Sequence, residues 1–227
     1  MNIPDFTVLN AAGLNLQAIF NIDDLPAELS ADIRTRFDPE HQYRQLILIG
    51  HGGKTLWASM QSAGISGENP IDDFSKMIVE KWLTGHRHTI IYPAQDSVGL
   101  QALGKLAGWH HPSPFMVGIN ENWGTWFAYR VVALTDTDFP PSTPLISASP
   151  CQSCLSKPCL SSCPADALSG DTFSLQKCIT YRKQPSSHCK ATCLARTSCP
   201  VGAEHRYCDE QIRHTYSISM RMIEQFY

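Results

Sequence analysis

The first 150 residues contain no cysteine, and the first 33 contain no lysine or arginine. No apolar run approaches the roughly 20 residues that a membrane-spanning helix requires. These absences exclude a membrane span, and the lack of an early basic stretch speaks against an export or transit signal, which makes the cytosol the expected compartment and membranes no partner. Charge is scarce too: 17% of residues are charged against 43% apolar, the balance of a folded soluble protein. Residues 1–150 carry 9 Lys/Arg against 15 Asp/Glu, and residues 151–227 carry 9 against 6, giving nets of -6 and +3. An excess of that size reads as solvated surface charge and argues against nucleic acid as a partner. There is no long repeat and no low-complexity tract. With 227 residues, the chain can build one sizeable core and a small appended module.

Ala27 to Arg36 reads as a short helix, and Tyr43 to Gly50 as a buried strand ending in glycine. Lys54 to Ala63 is a second helix. In ENPIDDFSKMIVEKWLTG, Asn69 stands at an N-cap and Pro70 at the first helical position. Asp72 and Asp73 occupy the favoured first turn, and Ile71, Phe74, Ile78 and Trp82 line one face before Gly85 ends the helix. HTIIYP predicts a strand and Ser97 to Ala107 a helix. FMVGI and TWFAYRVVAL predict two strands joined as a hairpin across NENWG. A Pro/Ser/Thr-rich stretch follows, and Asp209 to Gln225 predicts a closing helix. The expected division is a domain over 1–140, a linker over 141–150 and a cysteine-rich module over 151–227.

All nine cysteines lie in that last part: Cys151, Cys154, Cys159, Cys163, Cys178, Cys189, Cys193, Cys199 and Cys208. An odd number with no export signal disfavours a disulfide framework. Zinc stays open, because thiolates at Cys151-x2-Cys154 spacing suit a tetrahedral site. Iron-sulfur ligation is favoured by proline directly after Cys163 and after Cys199, since bacterial ferredoxins run C-x2-C-x2-C-x3-C-P and hand the last cysteine to the other cluster. Here the first group is C-x2-C-x4-C-x3-C-P, two residues longer, with Lys157 and Pro158 the candidate insertions. The second departs further, as Cys189-x3-Cys193-x5-Cys199-Pro. Crossed ligation assigns Cys151, Cys154, Cys159 and Cys199 to one 4Fe-4S cluster and Cys163, Cys178, Cys189 and Cys193 to another. Spacing alone leaves the number of clusters open, and Cys208 is left as a free thiol.

The order Gly108-Trp109, an apolar strand, WGTWFAYRVVALTD, a proline linker, the first cysteine group with CPADAL, CITY and a final three-cysteine group resembles the cobalamin-dependent epoxyqueuosine reductases. The segment around LILIG, NPIDDF and G-x-W-F-A-x-R (Gly124, Trp126, Phe127, Ala128, Arg130) resembles the cobalamin-processing CblC family. The resemblance spans about residues 43 to 200 and implies an α/β (α+β) fold: a nitroreductase-like mixed sheet with flanking helices plus a small ferredoxin-like iron-sulfur domain. It implies an iron-sulfur oxidoreductase whose two 4Fe-4S clusters take electrons from a redox donor protein and pass them singly to cobalamin. A flavin such as FMN is the alternative planar occupant, and the alternative functions are a ferredoxin-like electron carrier, an epoxyqueuosine reductase-like tRNA-modifying enzyme, or a zinc-binding or metal-free binding protein. The acid carboxylate of the reductases has no clean match, Asp96 lying about two positions too near Gly108. The core also lacks an Asp-x-His-x-x-Gly cobalt-binding motif.

Among the remaining candidates, Trp126, Tyr129 and Arg130 are the expected cofactor-binding residues. Strand alternation sets Phe127 and Tyr129 on one face and Trp126 with Arg130 on the other. Arg130 suits a carboxylate or amide, with a structural salt bridge as its bland counterpart. GHGGKT (Gly50 to Thr55) lacks the first glycine of a phosphate loop, position 48 being leucine, and reads as a strand-to-helix turn. His110 and His111 read as loop histidines. Asp72 and Asp73 read as helix-start charges.

Overall fold

The computed structural model describes residues 3–94, 98–169 and 172–227. It divides into two compact units, residues 1–109 with 127–146, and residues 110–126 with 147–227. Asp96 and the expected helix start at Ser97 fall outside the described residues.

The first unit is built on a four-stranded sheet: β1 (Leu16–Asn21), β2 (Gln45–Gly52), β3 (His88–Tyr92) and β4 (Phe127–Thr135). The order is β1-β2-β4-β3, and every neighbouring pair is antiparallel. Leu46, Ile47, Leu48 and Ile49 of β2 are all fully buried. That is why this strand reads as an unbroken apolar run: both of its faces are covered, so alternation has no solvent side to mark. The register slips between Ile49 and Gly50. A Cβ at Gly50 would stand 2.9 Å from the Ala128 carbonyl oxygen, so the bulge needs glycine.

Helices α1 (Thr7–Ala11), α2 (Ala27–Phe37), α3 (Thr55–Ser62), α4 (Pro70–Trp82) and α5 (Leu100–Leu106) belong to this unit. α4 packs on β4, and its covered stripe is broader than the sequence implies, since Ser75 and Val79 are buried beside Ile71 and Phe74. Asn69 occupies the N-cap, yet its side chain caps nothing; its carbonyl accepts from the amides of Asp72 and Asp73. Buried Gln45 fixes the chain leaving β4: its amide donates to the Phe139 carbonyl and the Asn21 side chain, and its oxygen accepts from Thr137 and the Phe139 amide. With donors and acceptor satisfied, this buried amide incurs little desolvation penalty. Further along, Ser142 exchanges two hydrogen bonds with Ile19, its amide donating to the carbonyl and its hydroxyl accepting from the amide. The start of the proline-rich stretch therefore lies along β1 and masks the edge of the sheet.

In the second unit, FMVGI does not make the expected strand. Only Gly118–Ile119 are extended, pairing with His111–Pro112. Pro112 and Pro114 lack ladder donors and Met116 turns through a φ of 64°, which ends pairing. The NENWG hairpin is reduced to a bridge between Asn120 and Gly124. Two helices dominate, α6 (Leu175–Lys183) and α7 (Asp209–Phe226), with four-residue helical turns at Pro150–Ser153, Pro158–Ser161 and Leu194–Thr197. Among the described residues no helix is long and apolar enough to cross a membrane.

Candidate functional site

The second unit brings the cysteines together. One cavity is lined by Cys151, Cys154, Cys159 and Cys199, together with Phe115, Pro158 and Pro200. A second is lined by Cys163, Cys178, Cys189 and Cys193, together with Phe115, Arg182 and Tyr216. Each set takes three thiols from one part of the chain and one from elsewhere, Cys199 in the first and Cys163 in the second. Phe115 is common to both walls. It sits in an apolar cluster with Cys159, Leu168 and Ala195, against which Cys163 and Cys193 also pack. All nine cysteines are free thiols. Cys208 lines neither cavity and stands at the N-cap of α7.

Local geometry accounts for the lengthened loop of the first group. Lys157 takes a left-handed conformation (φ 37°) and Pro158 starts the helical turn that carries Cys159. The two additional residues thus reverse the chain and return a sulfur to the cavity. The far side is pinned by glycine. A Cβ on Gly124 would stand 1.9 Å from the Val201 carbonyl oxygen, and one on Gly202 would stand 2.5 Å from the Gly124 amide nitrogen. This close approach anchors the turn that follows Cys199-Pro200.

The thiols feel one another. Burial, and then the neighbouring thiols Cys199, Cys159 and Cys154, push Cys151 up from the ordinary thiol value. Burial dominates for Cys159 and Cys199 as well, with further upward pressure from facing cysteines. In the second set burial raises Cys178 and Cys189, partly opposed by the positive charge of Arg182. Arg182 is only 6% exposed and donates to four neutral acceptors: the carbonyls of Cys189, Lys190 and Tyr216 and the Ser219 hydroxyl. Among the described residues, no three Cys, His, Asp or Glu side chains converge closely enough to hold a single metal ion.

The expected planar-ligand residues are distributed differently from their sequence pattern. β4 begins at Phe127, so strand alternation does not reach Trp126. That residue is fully buried in the second unit, with its ring under the Arg196 guanidinium at 4.5 Å and edge-on to Tyr207 at 5.4 Å. Phe127 and Tyr129 do share a face, their rings meeting at 88° and 6.0 Å. The Tyr129 hydroxyl rests where a Cβ on Gly104 would be, and burial pushes its phenol upward. Arg130 joins a polar cluster in the first unit: its Nε donates to His51 Nδ1 at 3.0 Å, and its guanidinium lies 3.5 Å from the Asp72 carboxylate. Burial raises Tyr92, with Arg130 and Asp72 as its charged neighbours. Asp72, expected as a helix-start charge, and His51, expected in a turn, both hold Arg130. A charged pair joining α4 to β4 leaves no local signal in sequence.

No family model matches the sequence, and no curated protein does. Solved structures do. The catabolic reductive dehalogenase NpRdhA aligns over 93% of this chain and 33% of its own, at 15% identity and a TM-score of 0.54. An epoxyqueuosine reductase solved with a tRNA stem loop aligns over 90% of this chain and 66% of its own, at 13% identity and a TM-score of 0.51. The fold is similar to theirs. The chain spans about two thirds of that reductase's length and one third of the dehalogenase's. A C. elegans B12-trafficking protein, CblC, aligns over 98% of this chain and 95% of its own at 11% identity and a TM-score of 0.49. The α+β architecture, a sheet flanked by helices, agrees with the fold expected from the WFAYR segment and the cysteine order.

Proposed function

We propose that this protein is a cytoplasmic iron-sulfur redox protein that delivers single electrons to a corrinoid held by its first unit. The observation that carries the reading is the partition of eight cysteines into two four-thiol cavities. The fit to a cluster can be judged from the donor set. A zinc ion would draw four sulfurs to about 3.8 Å from one another, given Zn–S bonds of about 2.3 Å, and no such convergence exists among the described residues. Four thiols lining one small cavity, with a buried arginine bonded to neutral acceptors beside one set, suit a larger centre with an anionic thiolate shell. Cys151, Cys154, Cys159 and Cys199 would hold one cluster and Cys163, Cys178, Cys189 and Cys193 the other, each supplying one-electron chemistry when bound.

The chain's own residues do the rest. Phe115, shared by both cavity walls, keeps water from the space between them and holds the two thiol sets next to each other. Arg182 supplies fixed positive charge. In the first unit Arg130, held by His51 and Asp72, offers a charge-assisted donor to an amide or carboxylate of a planar cofactor, while Tyr129 packs on the opposite face of the strand against Gly104.

Anaerobic purification followed by iron and sulfide analysis tests the first half. About eight irons per chain are expected for two such clusters, and stoichiometric zinc without iron overturns the reading. Mixing the reduced protein with cobalamin or with FMN tests the second half. A spectral change of cobalamin supports the corrinoid, a change with FMN alone replaces it with flavin, and silence from both leaves a plain electron carrier.

A further inference from the structure

The two thiol sets differ in the charge beside them. Arg182 lines the second cavity and is 6% exposed. It follows Cys178 by four residues on α6, the spacing that puts two side chains on one helix face. Its Nε donates to the Cys189 carbonyl at 3.0 Å, so the guanidinium is bonded to the backbone of one cysteine of the set and shares a helix face with another. Three further bonds hold the fork, to the Ser219 hydroxyl at 2.9 Å and to the carbonyls of Lys190 and Tyr216 at 3.2 Å each. All four acceptors are neutral, and the described residues lining the cavity include no Asp or Glu. The charge is therefore fixed in place and uncompensated by its partners. Lys157, the cation lining the first cavity, is half-buried on a turn and carries a strongly hydrated ammonium on a flexible stem. Water weakens its field.

We infer that Arg182 makes the second centre the more readily reduced of the two, so that the first electron entering this unit comes to rest on the centre held by Cys163, Cys178, Cys189 and Cys193. The inference rests on the iron-sulfur reading. Each one-electron reduction adds one negative charge to a thiolate-bound centre. A positive charge held beside it and away from water stabilises the reduced form more than the oxidised one. The electron comes from an external one-electron reductant, which is oxidised; no bond forms or breaks and no proton moves.

Full-length protein, reconstituted anaerobically, is titrated with dithionite under potentiometric control while both reduced centres are followed by electron paramagnetic resonance. The signal missing from Cys189→Ser marks the second centre, and the signal missing from Cys159→Ser marks the first. In wild type the second centre is expected to be reduced first, its reduced-to-oxidised ratio at a fixed potential standing at least about tenfold above that of the first, or about 59 mV for one electron. Arg182→Gln removes the charge and keeps a neutral donor, and is expected to lower the second centre's ratio about tenfold. Arg182→Lys keeps the charge and loses the fork, and is expected to preserve the wild-type order. A merely structural role would move both variants alike. Full iron content in wild type with the first centre reduced first, or with equal ratios, overturns the inference and leaves the cluster reading standing, as does an equal shift in the two variants. Where neither variant fills its second set, the wild-type order decides. A wild-type protein that takes up no iron overturns both.

Discussion

Gly124 provides a direct test of how the first thiol set is held. Gly124→Ala adds one methyl group to a residue with φ 56°, in a position where that methyl would stand 1.9 Å from the Val201 carbonyl oxygen. The left-handed backbone costs an alanine about 1–2 kcal/mol. Forcing apart two backbone segments that cannot rotate out of the way adds about 1–3 kcal/mol, as overpacking does elsewhere. The variant should therefore lose about 2–5 kcal/mol, a large share of the roughly 5–15 kcal/mol margin of a small unit. Gly64 supplies the control: its φ is 67°, and a Cβ there meets nothing within 4 Å. Gly64→Ala should lose only the backbone share, about 1–2 kcal/mol. Amide hydrogen exchange reads each variant within its own unit. In Gly124→Ala the opening should centre on the turn after Cys199, and iron should leave the first thiol set before the second. Equal losses in the two variants would refute the claim that close approach of Gly124 to Val201 holds Cys199 in place.

Three other outcomes follow from the same geometry. Cys159→Ser and Cys189→Ser should each retain about half the wild-type iron, since each disables one set of four, while Cys208→Ser retains all of it; equal loss in all three refutes the partition. Arg182→Met keeps most of the packing but removes a buried charge and orphans four acceptors, and should cost about 3–5 kcal/mol with loss of iron confined to the second set. In the metal-free protein, burial raises the thiols of Cys151, Cys159, Cys178, Cys189 and Cys199 above the unfolded value of about 8.5. The folded state then keeps protons that the unfolded state has lost, so stability is complete below about pH 8.5 and declines above it. Thermal unfolding of metal-free protein between about pH 7 and 10 checks this, and a melting temperature that rises through that range overturns it.

The expected assignment of cysteines to two sets rests on chain order, and the same two groups of four line the two cavities. Proline after Cys163 and after Cys199 marks where a ligand loop ends, and the crossed pattern follows from how a short loop wraps a compact centre. β2 was legible because an unbroken apolar run has few other uses. The strand expected at FMVGI failed for a reason visible only in context: prolines on either side of Ser113 and the left-handed Met116 leave two residues able to pair. β1 went unread, since Gln17 and Asn21 interrupt LQAIFN. Gln17 donates to the Leu14 carbonyl, and Asn21 meets Gln45 and Asp24, so residues that look like breakers serve as side-chain partners. Trp126 shows the limit of periodicity. It precedes the extended residues, so counting by twos across that boundary assigns a face that the chain does not have.

The arginines of the second unit were the least legible feature, and they narrow its chemistry most. Arg182, Arg196 and Arg206 are scattered through the tail, and composition presents them as part of a mild surface excess. Folding instead buries Arg182 and Arg196 to 6% exposure and sets Arg196 and Arg206 against the Trp126 ring. Removing a guanidinium from water costs several kcal/mol unless an anion or a full set of acceptors replaces the solvent. The carbonyls around Arg182 meet its hydrogen bonds, but neutral dipoles do not cancel its charge. Four thiolates around a metal-sulfur centre would, and the centre would in turn be stabilised by an α6 arginine held in place by the Cys189 carbonyl of the following loop and by Tyr216 and Ser219 of α7. Under the proposed iron-sulfur reading, cation and thiolates would each make the burial of the other less unfavourable, so loss of iron from the second set and loss of Arg182 should weaken the unit through the same interaction.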